Sequence, residues 1–197
     1  KKSNISCECI VIGGGIIGLA VAAALSRKGI EVIVLEAEDL TIQHASSHNS
    51  EVIHSGVYYQ KGSLKAKLCV EGNHLLYSHC KKYGIDFKKI GKLIVATHED
   101  QQKDLESLRE NSSANNVTDV EIVDAKFAKN MEPELSCCSA LFSPNTGIID
   151  SHALMLGLHA DIQDTGSKVV FHSPVLRGAL SSNGIVLQLG DKEKTKI

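Results

Sequence analysis

The sequence predicts an α/β fold that opens with a parallel β-α-β unit, and two observations carry the prediction. Cys9-Ile10-Val11-Ile12 and Glu31-Val32-Ile33-Val34-Leu35-Glu36 are apolar runs of strand length. Between them, Ile16 to Lys28 is alanine-rich and helical in pattern, and Gly29 supplies a C-terminal stop. Strands joined by such a crossover run parallel and right-handed. A sheet of this kind is covered by helices on both faces, which would explain why both strands are apolar throughout.

The composition suits a soluble globular core. Of 197 residues, 43% are hydrophobic and 22% charged. A net charge of −2 excludes nucleic-acid binding through bulk electrostatics. No apolar run reaches the roughly 18 residues of a membrane span. The longest, Ile10 to Leu25, is interrupted by Gly13, Gly14, Gly15 and Gly18. Lys1-Lys2-Ser3-Asn4 has no secretory pattern and leads into the first strand, which is compatible with a targeting peptide removed earlier. The cysteines, Cys7, Cys9, Cys69, Cys80, Cys137 and Cys138, form no C-x-x-C pair and no zinc spacing. They read as free thiols of a reducing compartment, with no metal site. Sequons at Asn4, Asn111 and Asn116 would matter only in a secreted protein.

The elements follow in order. Ser63 to Tyr83 has the spacing of a long amphipathic helix, with Leu64, Leu68, Leu75, Leu76 and Cys80 as its apolar stripe and Gly84 as its end. Gly91 to Thr97 is a strand. His98 to about Asn111 is a polar helix with Leu105 and Leu108 facing inward. Val120 to Val123 is a strand, and Asp124 caps a short helix to Met131. Ser139 to Phe142 is a strand, Ser151 caps a helix over Ala153 to Asp164, and Lys168 to Val175 is a strand. Gly178 to Leu189 is a hairpin turning at Ser182-Asn183-Gly184.

The turn between the first strand and helix carries chemistry. Gly13-Gly14-Gly15-Ile16-Ile17-Gly18 matches G-x-G-x-x-G in the context that gives the motif meaning. Gly13 permits the tight turn, Gly15 lets a pyrophosphate approach the backbone, and Gly18 lets the helix pack close to the strand. The helix start offers unpaired N–H groups and a partial positive charge to phosphates. Glu36, ending the second strand, can accept hydrogen bonds from a ribose diol. This is a Rossmann-like dinucleotide site, and by itself it does not separate FAD from NAD.

The next stretch, Ala45-Ser46-Ser47-His48-Asn49-Ser50-Glu51-Val52-Ile53-His54-Ser55-Gly56-Val57-Tyr58-Tyr59, departs from the helix and third strand of an ordinary NAD domain. It is dense in hydrogen-bonding side chains, yet Val52, Ile53 and the tyrosines make it too apolar for a solvated loop.

In this order of motifs the chain resembles the glycine/D-amino-acid-oxidase-like flavoprotein superfamily. H-N-S-x-V-I-H-S-G-x-Y-Y, then Ser63 to Cys69, Gly91 to Ala96, and Ser143-Pro144-Asn145-Thr146-Gly147-Ile148-Ile149-Asp150 resemble its branch acting on 2-hydroxy diacids. Glu51 departs from the pattern, since many relatives carry glycine there. The resemblance implies an FAD cofactor and hydride transfer from C2 of a 2-hydroxy diacid to flavin N5. By position it implies that Gly13, Gly15, Gly18 and Glu36 hold the ADP half. Ser46, Asn49 and Ser50 would sit by the pyrophosphate and flavin, and Val175, on the strand after the Ser151 helix, would contact adenine. His54 is the candidate catalytic base, against the reading that it only packs on or hydrogen-bonds the flavin; His48 is a weaker candidate. Tyr58, Tyr59 and Lys65 or Lys67 are candidates for a substrate carboxylate. The two lysines, at i and i+2, do not share a helix face.

The resemblance also implies an FAD-binding domain interleaved with an antiparallel-sheet substrate domain: residues 1–90, 91–145 and 146–197 as FAD, substrate and FAD segments. It implies a longer protein with this chain as its N-terminal part. The compartment it implies is mitochondrial in a eukaryote, or cytoplasmic with loose membrane association in a bacterium. Two alternatives stay open at this point: a non-catalytic dinucleotide-binding fragment, and a related oxidase acting on another amino or hydroxy acid. An NAD dehydrogenase or a flavin disulfide reductase is disfavoured, because no second G-x-G-x-x-G and no redox cysteine pair is present.

Overall fold

A computed structural model describes residues 5–41, 46 and 48–190. Ala45, Ser47, the sequon at Asn4 and the terminal Lys194 to Ile197 lie outside the described residues. The chain divides into two compact units, Lys1–Ser50 with Ser151–Ile197, and Glu51–Asp150. Residues 51–90, expected alongside the opening segment, belong to the second unit, and the return to the first comes at Ser151.

The first unit is the β-α-β motif with three additions: a strand, a helix and a hairpin. β1 (Cys9–Ile12) pairs parallel with β2 (Val32–Leu35), with α1 (Ile16–Ser26) between them. β2 also pairs parallel with β9 (Lys168–Val170), so the sheet order is β1-β2-β9. α5 (Ser151–Asp164) packs on α1 and β9. Leu19, Ala22 and Ala23 of α1 and Met155 and Ile162 of α5 are fully excluded from solvent. Each large apolar side chain removed from water in this way stabilises by about 1.5–3 kcal/mol. Arg27 pairs with Asp161, joining the ends of the two helices.

The fold departs from the sequence expectations in three places here. The helices pack against each other on one face of the sheet, so Ile10 and Ile12 of edge strand β1 are 39% and 60% exposed rather than covered on both sides. The α5 helix begins at Ser151 itself, not at Ala153. The strand expected over Lys168 to Val175 ends at Val170. Beyond it the chain bends: His172 adopts φ +53°, its N–H donates to Glu38 O, and Ser173 N–H donates to Glu36 O. Pro174 has no N–H to offer a ladder. Val175 therefore opens β10 (Val175–Ser181) of the hairpin with β11 (Gly184–Leu189). The hairpin's turn at Ser182-Asn183 is where the sequence places it.

The second unit contains two antiparallel sheets. β8 (Gly147–Ile149) stands between β3 (Val52–Ile53) and β4 (Phe87–Lys88). β7 (Ser139–Ser143) stands between β5 (Lys92–Ala96) and β6 (Glu121–Asp124). α3 (Gln102–Ala114) lies on the latter sheet, where Leu105 packs with Ala96, Val117, Val120, Leu141 and Val57. α4 (Ala125–Met131) starts at Asp124, whose carboxylate accepts from Phe127 N–H at 2.7 Å. α2 (Leu64–Tyr83) is capped by the Ser63 hydroxyl and ends at Gly84 in the left-handed region, as the sequence signals. Of the expected stripe, Cys80 is buried and Leu76 half-buried, but Leu64, Leu68 and Leu75 are exposed, and the buried face is completed by Ala66, Asn73 and Tyr77. Hydrophobic spacing located the helix, but two buried hydrogen-bonding side chains set its rotation.

Glu51, which opens this unit, sits at φ +55°. A side chain there costs about 1–2 kcal/mol, and a glycine would instead carry an entropic cost of about 0.5–1 kcal/mol. Glu51→Gly is therefore expected to raise stability by up to about 1 kcal/mol, seen as a melting temperature higher by a few degrees. An unchanged or lower melting temperature would show that the strain is compensated locally.

Among the described residues, no group of three or more His, Cys, Asp and Glu side chains could hold a metal ion. No described helix is long and apolar enough to cross a membrane.

Candidate cofactor turn and acid-base notch

In the first unit, the glycine turn is held from below by the sheet and from the side by Glu36. Gly13 N–H donates to Leu35 O at 2.9 Å. The Glu36 carboxylate accepts from Gly14 N–H at 2.6 Å and from Glu38 N–H at 2.9 Å. Each carboxylate oxygen keeps a further lone pair, so the same group can still accept from a diol. Gly18 is fixed by contact: a Cβ there would stand 1.9 Å from Gly13 O. α1 starts at Gly15 without a side-chain cap and with no acid in its first turn. Ile16 N–H donates to Ser46 Oγ at 3.1 Å, and Asn49 Nδ2 donates to Ser46 O at 2.9 Å. Ile17 is 75% exposed, so the helix start opens to solvent. An acid-free helix start behind a glycine turn, its N-cap residue without a side chain and its first N–H met by the Ser46 hydroxyl, fits a phosphate group.

Of the sequence-predicted cofactor residues, Gly13, Gly15, Gly18, Glu36, Ser46 and Asn49 meet at this turn. Ser50 is exposed on the loop that follows, and Val175 starts the hairpin.

In the second unit, the segment from His54 to Tyr59 forms one wall of a shallow notch, with Lys92 and Thr146 on the other side. Its enclosed volume is about 10 Å³, room for one water-sized group. It can therefore grip one end of a ligand but not enclose it. Two helices hold the segment by its carbonyls. Asn73 of α2, 5% exposed, donates to His54 O and to Asn145 O, each at 3.0 Å. Asn111 of α3 donates to Val57 O at 3.1 Å and Tyr59 O at 2.9 Å, and Asn115 donates to Tyr59 O at 2.7 Å. Asn111 is thus engaged inside the fold and is no glycan acceptor in this conformation.

Beneath His54, three buried hydroxyls close a triangle: Ser55 to Ser143 at 2.7 Å, Ser143 to Thr146 at 3.2 Å, and Thr146 to Ser55 at 3.3 Å. Ser143 has no solvent exposure. Ser143→Ala removes two of these contacts in a buried setting and is expected to cost about 1–3 kcal/mol. Urea unfolding should show it as a lower midpoint with an unchanged slope; an unchanged midpoint would mean the triangle carries no stability.

The electrostatics of the notch favour a neutral base beside cations. Partial burial, then the positive charges of Lys92 and Lys65, push the His54 imidazole below the ordinary histidine value. Burial raises the Tyr58 hydroxyl, and burial together with Cys69 raises that of Tyr59, so both stay protonated donors. Lys65 Nζ rests 4.6 Å from the centre of the Tyr59 ring, and Lys92 Nζ 5.3 Å from that of Tyr58. The structure thus brings His54, Tyr58, Tyr59 and Lys65 together. Lys67 and His48 are exposed.

Sequence reasoning passed over Asn73, Ser143, Thr146, Asn111, Asn115 and Lys92 as functional positions. A signal existed for three of them: Lys92 sits inside the Gly91 to Ala96 run, and Ser143 and Thr146 inside the Ser143 to Asp150 run, that carried the resemblance.

Comparison with known proteins agrees with this geometry. The family described as FAD dependent oxidoreductase (DAO) matches residues 8–196. The mitochondrial L-2-hydroxyglutarate dehydrogenase of Arabidopsis thaliana is 47% identical over 151 residues, covering 77% of this chain and 31% of that protein. Its Homo sapiens counterpart is 40% identical over 172 residues, covering 86% and 37%. Among solved structures, the FAD-bound, dithionite-reduced L-alpha-glycerophosphate oxidase of Mycoplasma pneumoniae superposes with a TM-score of 0.89 at 25% identity, covering 94% of this chain and 50% of that one. Glycine oxidase of Geobacillus kaustophilus shares the fold, with a TM-score of 0.82 at 21% identity. The chain spans about a third of the length of these two curated relatives. A glycine turn before an acid-free helix start, and a family match that runs through both units, make this chain a member of the FAD dependent oxidoreductase (DAO) family.

Proposed function

We propose that the protein containing this chain oxidises L-2-hydroxyglutarate to 2-oxoglutarate with FAD as its cofactor. The observation that carries the reading is the His54 notch: an imidazole whose pKa is depressed, two tyrosines and the Lys92 ammonium line one small space, and Lys65 rests on the outer tyrosine ring. The names of the relatives support the substrate and its stereochemistry.

FAD, when bound, supplies the acceptor for the hydride that leaves C2 of the substrate. The chain's own residues do the rest. The turn from Gly13 to Gly18, the first N–H groups of α1, and Ser46 hold the pyrophosphate, and Glu36 accepts from the ribose. His54 takes the proton of the C2 hydroxyl, so that proton and hydride together account for the two hydrogens lost. The ammonium groups of Lys65 and Lys92 bind carboxylates, and Tyr58 and Tyr59 donate to carboxylate or carbonyl oxygens. Asn73 keeps the His54 backbone in place. The mitochondrial names of the relatives favour a mitochondrial compartment in a eukaryotic host.

The direct test is anaerobic titration of the FAD-loaded protein. L-2-hydroxyglutarate should bleach the visible flavin band and the D-isomer should not. Bleaching by neither isomer, or equally by both, would overturn the assignment.

A further inference from the structure

His54, Tyr58 and Lys65 are positions that the sequence already singles out. Lys92 is not among them, yet with Thr146 it is a notch residue supplied from outside the His54 to Tyr59 segment. It opens β5, where it pairs with Ser143 of β7. The preceding Gly91 N–H donates to Thr146 O at 2.9 Å, so its backbone is tied to the same loop that closes the hydroxyl triangle. The residue is half-buried, and no carboxylate among the described residues lies within ion-pair reach of it. Its ammonium group rests over the Tyr58 ring with no carboxylate beside it, and a substrate anion could pair with it.

Lys92 also has a second exposure. Besides the notch with His54, it lines a larger, mainly apolar cleft of about 430 Å³ whose walls include Val52, Ile90, Leu93 and Ile148, with Glu132 as the one acid and Lys92 as the one cation among its lining residues. Of the two lysines near His54, only Lys92 lines both spaces. Lys65, by contrast, is exposed in the first turn of α2 and rests on the adjacent tyrosine. A diacid whose C2 hydroxyl meets His54 places its methylenes and its second carboxylate away from the reacting carbon. The apolar walls suit the methylenes, and Lys92, which lines this cleft as well as the notch, is the cation available there to a second carboxylate.

We propose that Lys92 is the specificity-determining residue for the distal carboxylate, the group that distinguishes a five-carbon 2-hydroxy diacid from the corresponding 2-hydroxy monoacid. This rests on the proposed function above. A monoacid would leave the Lys92 charge uncompensated, which discriminates against it without any steric block.

The test compares L-2-hydroxyglutarate with L-2-hydroxyvalerate, which lacks the distal carboxylate, in FAD-loaded wild type, Lys92→Gln and Lys92→Arg. Lys92→Gln should lower kcat/KM for the diacid about 10- to 100-fold, mainly through KM, and change the monoacid by no more than about threefold. Lys92→Arg should restore much of the diacid activity. A second arm measures glutarate binding by calorimetry, which needs no turnover; Lys92→Gln should weaken it by a similar factor. Equal losses on both acids, or no loss, together with unchanged glutarate binding, would overturn the role of Lys92 and leave the proposed function standing. If L-2-hydroxyglutarate fails to reduce the wild-type flavin while glutarate still binds in a Lys92-dependent way, the function falls and the anion site stands.

Discussion

Gly18→Ala is expected to strip the protein of FAD. The added Cβ would lie 1.9 Å from Gly13 O and 3.1 Å from Gly13 C, where real side-chain carbons keep at least 3.0 Å, and the neighbour is backbone that cannot rotate away. Either the helix lifts from the turn or the turn opens. Forced overpacking of this kind costs about 1–3 kcal/mol, and the displaced groups are the N–H donors proposed above to hold the pyrophosphate. FAD affinity should fall at least about tenfold, measured by the flavin retained per protein after gel filtration. Gly72→Ala is the control. It is a helix-interior glycine with nothing within 4 Å of an added Cβ, so it should gain about 0.5–1 kcal/mol of stability and keep its flavin. Full retention by the Gly18 variant would mean that the turn does not hold the cofactor.

His54→Asn should lower kcat/KM for L-2-hydroxyglutarate by about 10²- to 10⁴-fold, the usual worth of a positioned base, with FAD still bound. The pH profile gives a sharper readout. A base works when neutral, so activity falls as pH drops through its folded-state pKa. Burial and the two lysines hold that pKa below about 6.5, so the acid limb should lie below that value. Lys92→Gln removes one of the depressing charges and should move the limb upward, toward the ordinary histidine value. In His54→Asn the limb should vanish. A variant that keeps activity within a few-fold, or an acid limb that Lys92→Gln does not move, would assign the proton transfer elsewhere. The same shift has a stability consequence with a definite sign. Because folding lowers the pKa, this contribution is fully present above about 6.5 and is lost as pH falls from there toward the folded value. The depressed pKa of His159, which is half-buried with its ring 6.2 Å from that of Phe171, acts in the same direction.

Most elements were legible because local rules govern them. The G-x-G-x-x-G turn, the Ser63 and Asp124 caps, the Gly84 stop and the Ser182-Asn183 hairpin turn are short-range chemistry, and each sits where the residues signal it. Val175 shows where this ends. An apolar run continues past Val170, but Ser173 N–H finds Glu36 O, a partner distant in sequence, and the chain turns away. The helix face of α2 shows the same limit. Leucine spacing pointed to one stripe, and the buried amide of Asn73, needed by the carbonyls of His54 and Asn145, shifted the buried face from it.

The residues themselves determined the β-α-β start, the glycine turn within it and the caps and stops of the helices, since these depend on neighbours a few positions away. Only tertiary structure decided that residues 51–150 form one unit and that Lys92 of β5 shares a notch with His54. It also decided that Ser55, Ser143 and Thr146 satisfy one another. Those facts depend on strand pairing between segments far apart in sequence, where burial and the need to satisfy each polar group outweigh any local preference.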